Sequence, residues 1–402
     1  MRLLFCSFDS PGHLFPLVGL ALEMRGRGHE VAFSCGLPAR DTLDPLGIER
    51  IPRGTDDGDS FGLKTWFDPV RTAIDVKHVE HAVRRFRPDL LVTQQLCQAP
   101  ILVRERQQIP VAVMGLFSYL WPVGRPVSPA RFAACEPTRR WRLQDMTRIL
   151  NQARELFRMP MLEADAADFP LLGDLFLLRT VPELEPELEA LPARVHAVGP
   201  CLWEPPRPSE AWETLRGRFA DPEAPVLYVQ QGRTFKGPGF WARLVDALAD
   251  RPVQVVASTG RMDQPASDLP LNFLADGHVP QGLVMPHARA VVSGGTTTVA
   301  LGALAHGLPG VLVPGGGETP DNAEKLAAAG CALSVEAEGL TAGAMRLAVE
   351  QVMGDDGMRR NCRGMQRALA RAGGFGRAAD LVEGLAAGGV PAASEAPRLA
   401  AV

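Results

Sequence analysis

The chain has 402 residues, of which 46% are hydrophobic and 22% are charged, so it can bury the cores of two domains. Its 46 Asp and Glu residues outnumber its 42 Lys and Arg residues, and the formal net charge is -4. Because a polyanion is held mainly by an excess of positive charge, this balance argues against nucleic acid as a partner.

Cysteine usage and hydropathy indicate a protein without disulfides or membrane insertion. The seven cysteines lie far apart and form no Cys-x-x-Cys pair, so neither a zinc ribbon nor a disulfide framework is predicted. The apolar stretch at the N-terminus stops at Asp9, and no stretch reaches the about 18 apolar residues of a membrane span. We therefore expect a soluble, cytoplasmic protein.

The first half of the chain alternates strand-like apolar runs with helical ones. After the first predicted strand, residues 10–13 (Ser-Pro-Gly-His) are expected to form a turn. The predicted strands and helices of this series are, in order, 3–8, 15–27, 31–35, 90–92, 99–107 and 111–114. Alternation of this kind predicts a parallel, doubly wound α/β sheet.

A second series of the same kind begins at Val226. Its predicted strands and helices are, in order, 226–229, 240–249, 253–256, 290–292, 298–306, 310–313 and 321–329. The proline-rich stretch 198–208 cannot pair as a central strand and is interpreted as an interdomain linker. We predict two Rossmann-like domains, 1–205 and 206–387, and a disordered tail at 388–402; whether the last helix packs on the first domain stays open.

The stretch Ser293–Thr298 lies after a predicted buried strand and before a predicted helix. Its small residues let the backbone approach a ligand, and the helix N-terminus offers free N–H groups with a positive dipole. Three successive threonine hydroxyls add further donors. A diphosphate suits such a site; the alternative is a threonine-capped helix without a ligand.

A glycine-rich turn, Pro314–Asn322, follows the next predicted strand. The carboxylate of Glu318 and the hydroxyl of Thr319 suit the hydroxyls of a sugar, because the turn lies at the carboxyl end of a parallel strand. Asp321 is expected to cap the following helix whether or not the turn binds a sugar.

With these motifs the chain resembles the bacterial antibiotic- and macrolide-type glycosyltransferases, inverting enzymes of glycosyltransferase family 1 with the GT-B fold. That family carries a His-Gly-Gly-x-Gly-Thr loop, then Ala-Leu-x-x-Gly-x-Pro and Asp-Gln-x-x-Asn-Ala. The segments in register with the family span nearly the whole chain: Gly12-His13-x-x-Pro16, Arg27-Gly28-His29-Glu30-Val31, Val198-Gly199-Pro200, Val279-Pro280, Ala303–Pro309 and Asn322-Ala323.

The resemblance implies two facing Rossmann-like domains with a cleft between them, the first for the acceptor and the second for the donor. It implies transfer of a sugar from a UDP- or dTDP-sugar to a hydroxyl of a small hydrophobic natural product. The nucleotide sugar is a co-substrate, and neither a metal nor a cofactor is implied. The oligomeric state, a homodimer included, stays open.

Several departures from the family concern the donor site, and two of them change the groups that would contact the donor. The loop histidine is absent, and Ser293 or Gly294 takes its place, depending on the register. The Asp-Gln pair becomes Glu318-Thr319. Because a diphosphate needs charge compensation, we expect Arg233 to replace the lost imidazole with a bidentate guanidinium.

By resemblance, His13 is the general base that takes the proton of the acceptor hydroxyl, a role worth roughly 10²–10⁴-fold in rate. The alternative is a histidine that only caps the first helix. The family orients this base with an acidic residue, whose place Gln94 takes. An amide can orient an imidazole but cannot stabilise its cation, so a phenol or enol acceptor would suffer least.

The predicted donor-binding residues are Gly12, Gly232, Arg233, Thr234, Val279, Ser293, Gly294, Gly295, Thr296, Thr297, Thr298, Glu318, Thr319 and Asn322. The predicted acceptor contacts are the aromatic residues Trp66, Phe117, Tyr119 and Trp121. Ordinary core packing would explain each of these aromatic residues as well.

Two weaker patterns of His and Asp residues do not indicate a metal site. His78 and His81 share a helical face without a third ligand, and Asp57-Gly58-Asp59 lies in a loop, so neither pattern predicts a metal site.

Two other functions are rivals to sugar transfer. One rival is a non-catalytic homologue that assists another transferase, which the two missing family residues would favour. The other is a nucleotide-sugar epimerase, which needs more acid-base carboxylates than the motifs offer.

Overall fold

The computed structural model describes residues 1–52, 68–116, 129–163, 170–185, 191–231, 239–260 and 269–389. The chain divides into two compact units: Met1–Trp203 with the segment from Ala372 onward, and Glu204–Arg371. The sequence predicts that residues 372–387 belong to the second domain. They pack in the first unit instead, where Leu381 and Val382 are fully buried. Most of the tail, 390–402, lies outside the described residues.

The first unit contains a parallel sheet of seven strands. Its strands are β1 (Arg2–Ser7), β2 (Glu30–Cys35), β3 (Glu49–Arg50), β4 (Leu90–Gln94), β5 (Val111–Gly115), β6 (Leu175–Leu178) and β7 (Val195–Ala197). They lie in the order β3-β2-β1-β4-β5-β6-β7. The chain thus winds outward in one direction from β1 and in the other from β4, as doubly wound sheets do.

Helices cover both faces of this sheet. They are α1 (Pro11–Gly26), α2 (Arg40–Leu43), α3 (Pro69–Phe86), α4 (Ala99–Gln107), α5 (Pro129–Leu156) and α13 (Gly374–Ala386). Apolar residues of α1 and α13 form one core with the sheet, and those of α3, α4 and α5 form the other. The strands are therefore buried on both sides, which explains their continuous apolar runs.

The second unit contains a parallel sheet of six strands in the order β10-β9-β8-β11-β12-β13. The strands are β8 (Val226–Gln230), β9 (Gln254–Ser258), β10 (Phe273–Asp276), β11 (Ala288–Ser293), β12 (Gly310–Leu312) and β13 (Ala332–Ser334). The helices are α6 (Ala211–Arg216), α7 (Phe240–Leu248), α8 (Gln281–Val284), α9 (Thr297–Ala305), α10 (Thr319–Ala328), α11 (Ala342–Gly354) and α12 (Asp356–Arg371).

Helices α1 and α10 begin clearly earlier than the sequence predicts. The turn expected at 10–13 is the start of α1, with Pro11 as its first residue, since the fixed φ of proline suits a first helical position. α10 begins at Thr319 after Glu318, so Asp321 lies inside the helix. The expectation that Asp321 caps this helix is therefore wrong; the carboxylate lies 2.9 Å from Lys325 Nζ, one turn later.

Across the described residues, none of the helices combines the length and the apolar character that spanning a bilayer requires.

Candidate functional site

His13 and Gln94 lie at the point where the first sheet reverses its winding. Strands β1 and β4 pair directly, with Cys6 opposite Thr93. His13 lies in the first turn of α1, just after β1, and Gln94 is the last residue of β4. The crevice beyond the carboxyl ends of two such strands is where doubly wound sheets bind ligands.

The imidazole of His13 is fixed by residues of its own turn. Its Nδ1 lies 2.8 Å from Ser10 Oγ, and its ring meets the Phe8 ring edge to face at 5.6 Å. If Nδ1–H donates to the hydroxyl, Nε2 is left as the proton acceptor that a general base needs. Gly12 is exposed beside it, and a Cβ there would meet no atom within 4 Å.

Gln94 does not orient this imidazole. Its Oε1 accepts from the Leu96 N–H at 3.1 Å, and its buried Nε2 has no hydrogen-bond partner in the described structure. The expected hydrogen bond between Gln94 and His13 is thus replaced by the one from Ser10. A local turn reaches the imidazole more directly than the end of a neighbouring strand does.

Arg179 is a charged residue of this region that the sequence analysis missed. It follows β6, is 5% exposed, and donates from Nε to the Pro200 carbonyl at 3.1 Å. Burial lowers the pKa of its guanidinium to about 10, which still leaves it protonated at neutral pH. Burial, and then the positive charge of Arg179, lower the pKa of His13 to about 4.

The charge that acts on His13 is therefore the cation of Arg179, instead of the carboxylate that the resemblance implies. An arginine directly after an apolar strand was the available signal, but sequence alone does not show that such a residue is buried.

The glycine- and threonine-rich loop lies at the corresponding reversal of the second sheet. Strands β8 and β11 pair there, and Ser293 is opposite Gln230 at their carboxyl ends. Ser293 is 1% exposed, and its Oγ accepts from the Gly295 N–H at 3.1 Å. Its hydroxyl is thus used inside the loop, and Gly295 turns the chain with a φ of 81°.

The loop ends at the N-terminus of α9. Thr296 is the N-cap residue, and its side chain makes no capping hydrogen bond. The first backbone bond inside the helix runs from the Ala300 N–H to the Thr296 carbonyl, so the preceding N–H groups of α9 lack helical partners. These N–H groups and the positive end of the dipole suit an anion.

Asn322 of α10 connects this loop to the turn before α10. Its Nδ2 donates to the Gly295 carbonyl at 2.8 Å and to Thr297 Oγ1 at 3.0 Å. The amide predicted to bind the donor therefore holds the loop that carries the free N–H groups. Its contacts in the structure are with the protein.

Thr319 does not present its hydroxyl for a sugar. The residue is completely buried, and its Oγ1 accepts from the N–H groups of Gly315 and Gly316 and donates to the Gly316 carbonyl. The prediction that Thr319 faces the sugar is wrong, because the turn closes on this side chain. Glu318 is the N-cap residue of α10 and is partly exposed.

Val279 is held by two buried side chains of neighbouring strands. The Tyr228 hydroxyl donates to the Val279 carbonyl at 2.8 Å, and Ser258 Oγ accepts from the Val279 N–H at 3.1 Å. A cavity of about 230 Å³ is lined by Val279, Pro280 and ten other residues of this unit. The loop 293–298 does not line this cavity, so the cavity is separate from the predicted diphosphate site.

Several predicted residues lie outside the described structure: Gly232, Arg233, Thr234, Trp66, Phe117, Tyr119 and Trp121, and also the Asp57–Asp59 stretch. Their predicted roles stay predictions. Within the residues that the structure does describe, no group of three or more His, Cys, Asp and Glu side chains is placed to hold a metal ion.

Comparison with known proteins agrees with this geometry. Residues 242–373 match the family described as Erythromycin biosynthesis protein CIII-like, C-terminal domain. 4'-Demethylrebeccamycin synthase of Lentzea aerocolonigenes is 26% identical over 96% of this chain and 99% of its own length. Demethyllactenocin mycarosyltransferase of Streptomyces fradiae is 28% identical over 95% of this chain and 86% of its own length.

Solved structures show the same fold. A calicheamicin glycosyltransferase has a TM-score of 0.70 and 27% identity, covering 96% of this chain and 98% of its own. A spinosyn rhamnosyltransferase complexed with thymidine diphosphate has a TM-score of 0.66 and 21% identity, covering 96% of this chain and 100% of its own.

The two parallel α/β units, the family match and the relatives named above together identify a glycosyltransferase with the GT-B fold. The resemblance drawn from the motifs is confirmed. The chain is a homologue of the antibiotic- and macrolide-type glycosyltransferases.

Proposed function

We propose that the protein transfers a sugar, with inversion, from a dTDP- or UDP-sugar to a hydroxyl of a small hydrophobic natural product. One observation carries the proposal. His13 and the loop 293–298 each lie where the sheet of their own unit reverses its winding, which is where such sheets bind ligands. The names of two relatives, a 4'-demethylrebeccamycin synthase and a demethyllactenocin mycarosyltransferase, support transfer of a sugar in the making of such compounds.

In the proposed reaction, Nε2 of His13 takes the proton of the acceptor hydroxyl. The oxygen attacks the anomeric carbon on the face opposite the diphosphate, so a carbon–oxygen bond forms as the bond to the leaving phosphate oxygen breaks. The nucleoside diphosphate leaves with the electron pair of that bond. The free N–H groups at the start of α9 stabilise the charge that develops on it.

The donor site is proposed to lie at Ser293–Thr298, with Glu318 toward the sugar and Arg233 compensating for the missing loop histidine. The spinosyn rhamnosyltransferase complexed with thymidine diphosphate supports a nucleoside diphosphate on this fold. The reaction is proposed to need neither a metal nor a cofactor. Arg233→Ala should raise the dissociation constant of dTDP or UDP sharply, and unchanged binding would dismiss this role.

The experiment that tests the function compares His13→Ala with His81→Ala, which removes an exposed histidine of α3. Transfer is followed by the mass increase of a panel of acceptors, and dTDP and UDP binding by calorimetry. We expect His13→Ala to lose roughly 10²–10⁴-fold in rate while nucleotide binding is kept. An unchanged rate in His13→Ala would refute the role of this base, and a wild type that binds neither nucleotide would refute the function.

Neither rival function is favoured by an observation in the described structure. The cytoplasmic location stays a prediction of the sequence, and the oligomeric state stays open.

A further inference from the structure

Ser10 is the N-cap residue of α1, and His13 is the third residue of that helix. A serine at this position usually accepts a hydrogen bond from a backbone N–H of the first helical turn. The Ser10 side chain makes no such bond, although its backbone has the extended conformation of a cap, with a φ of -72° and a ψ of 138°. Its hydroxyl oxygen lies 2.8 Å from Nδ1 of the His13 ring instead.

The backbone of α1 does not need this hydroxyl. The N–H groups of His13 and Leu14 both donate to the Ser10 carbonyl at 2.9 Å. Pro11, at the first helical position, has no N–H group, and Gly12 is exposed, so solvent can satisfy its N–H. The hydroxyl is therefore available to a side chain, and a residue three positions further on is within its reach, as in a capping box.

Two contacts fix the orientation of the His13 ring. Ser10 holds Nδ1, and the edge-to-face contact with the Phe8 ring, at a centroid distance of 5.6 Å, restricts rotation of the imidazole. Because Nδ1 is bonded within its own turn, Nε2 is the nitrogen that is left for a substrate. Ser10 and His13 are both partly exposed, so a ligand can reach the pair.

We propose that Ser10 is the positioning residue of the base: its hydroxyl oxygen accepts a hydrogen bond from Nδ1–H and so keeps Nε2 unprotonated. The inference rests on the proposed function and adds a residue to it. The oxygen of an N-cap serine acts as an acceptor toward the N–H groups of its helix, and here the ring N–H takes the place of a backbone N–H. The tautomer of an imidazole is set by the hydrogen bond that its other nitrogen makes.

The Ser10 hydroxyl orients the imidazole without adding a charge. Burial, and then the charge of Arg179, lower the pKa of His13 to about 4, so the ring is neutral at neutral pH. A carboxylate in the place of Ser10 would raise this pKa because it favours the imidazolium, whereas a hydroxyl has no charge to do so. The pair therefore suits a base that must be neutral before it takes the proton of the acceptor.

Nitrogen NMR of the full chain, with isotope-labelled histidines, tests the tautomer. A protonated ring nitrogen and an unprotonated one have well-separated resonances, and the His13 signals are assigned by their loss in His13→Ala. In the wild type at neutral pH we expect Nδ1 to carry the proton and Nε2 to be unprotonated. In Ser10→Ala the proton should distribute over both nitrogens. This measurement needs neither donor nor acceptor.

Kinetics then test whether the hydrogen bond matters for transfer. Ser10→Ala should lower kcat roughly 3- to 10-fold, the effect of losing one neutral hydrogen bond, while dTDP or UDP affinity in calorimetry stays the same. Ser10→Thr, which keeps the hydroxyl, should restore most of the rate. Transfer is measured on the same panel of acceptors as for His13→Ala.

Thr341 offers the matched control, because it is an N-cap residue whose hydroxyl does cap its helix. Its Oγ1 accepts from the Ala344 N–H at 3.1 Å at the start of α11. Thr341→Ala should lower the urea midpoint and leave kcat unchanged. Ser10→Ala should do the opposite, because no capping bond is lost there.

Three results would overturn the inference. They are a wild type with the proton on Nε2, a Ser10→Ala variant with the full kcat, and a Ser10→Ala variant that loses rate together with as much stability as Thr341→Ala. The last result would make Ser10 an ordinary cap. A wild type that binds neither nucleotide, or a His13→Ala variant with the full rate, contradicts the proposed function instead, so the two failures are distinguishable.

Discussion

Asn322 and Thr297 are joined across 25 residues of chain by a hydrogen bond of 3.0 Å from Nδ2 to Oγ1. The same amide nitrogen also donates to the Gly295 carbonyl at 2.8 Å. One side chain of α10 thus fixes both the last glycine of the loop and the first residue of α9. The direction of the free N–H groups at this helix start depends on that connection.

Asn322→Ala should therefore weaken nucleotide binding without contacting the nucleotide. A carbonyl left without its partner costs about 1–3 kcal/mol, and about 1.4 kcal/mol corresponds to tenfold in affinity. We expect the dissociation constant of dTDP or UDP to rise about tenfold in calorimetry. Asn361→Ala, which removes an exposed amide bonded to the Gly330 carbonyl, is the control and should leave binding unchanged. Equal effects of both variants would contradict this role of Asn322.

A second prediction concerns the space around Gly294. A Cβ on this residue would lie 2.5 Å from the Gln231 carbonyl oxygen, a backbone atom that cannot turn away. Gly294→Ala should thus displace the loop, destabilise the second unit by about 1–3 kcal/mol, and lower dTDP or UDP affinity. Gly354→Ala, where a Cβ would meet no atom within 4 Å, should change neither quantity. Thermal unfolding and calorimetry check both, and a neutral Gly294→Ala would show that the loop tolerates the shift.

The sequence predicted where the site lies better than it predicted what each side chain does. Buried parallel strands are continuous apolar runs, so the ends of β1 and β11, and hence His13 and Ser293, could be placed by the end of such a run. Side-chain direction is decided by turn geometry and packing. The sequence therefore predicts a sugar contact for Thr319, although its hydroxyl forms hydrogen bonds within its own turn.

The sequence also could not predict which distant parts of the chain contact one another. No periodic pattern shows that Arg179 is buried or that its charge acts on His13, because the two residues are far apart in the chain. The sequence of α13 likewise indicates only an amphipathic helix. Its packing against α1 is a long-range contact that no local pattern shows.

The contact between α13 and α1 gives a third prediction. Phe375 of α13 packs directly over Gly19 of α1, and a methyl group at Gly19 would overlap its ring. Gly19→Ala should push the ring away and destabilise the first unit by about 1–3 kcal/mol. Gly26→Ala, at the end of the same helix with no atom within 4 Å of the added Cβ, is the matched control. It should be neutral or slightly stabilising, since alanine favours a helix. Denaturant unfolding compares the two, and equal stabilities would contradict the packing.

The last prediction concerns the pH dependence that His13 imposes. Its pKa in the folded protein is about 4, against about 6.5 in an unfolded chain, because of burial and of the Arg179 charge. Between these two pH values the unfolded chain binds a proton that the folded one does not. The free energy of unfolding must therefore decrease as the pH falls through this window.

His13→Gln removes the titrating group but keeps a polar side chain, so it should lose less stability on acidification. Because His13 is partly exposed, we expect the stability of the wild type relative to this variant to fall by roughly 1–3 kcal/mol between pH 7 and pH 4. Urea unfolding at several pH values measures this difference, and a difference that does not vary with pH would contradict the lowered pKa.

The proton resonance of the His13 ring offers an independent check of this pKa. It should titrate near pH 4 in the wild type and at higher pH in Arg179→Gln. A titration that stays in place in Arg179→Gln would mean that burial alone holds the imidazole neutral.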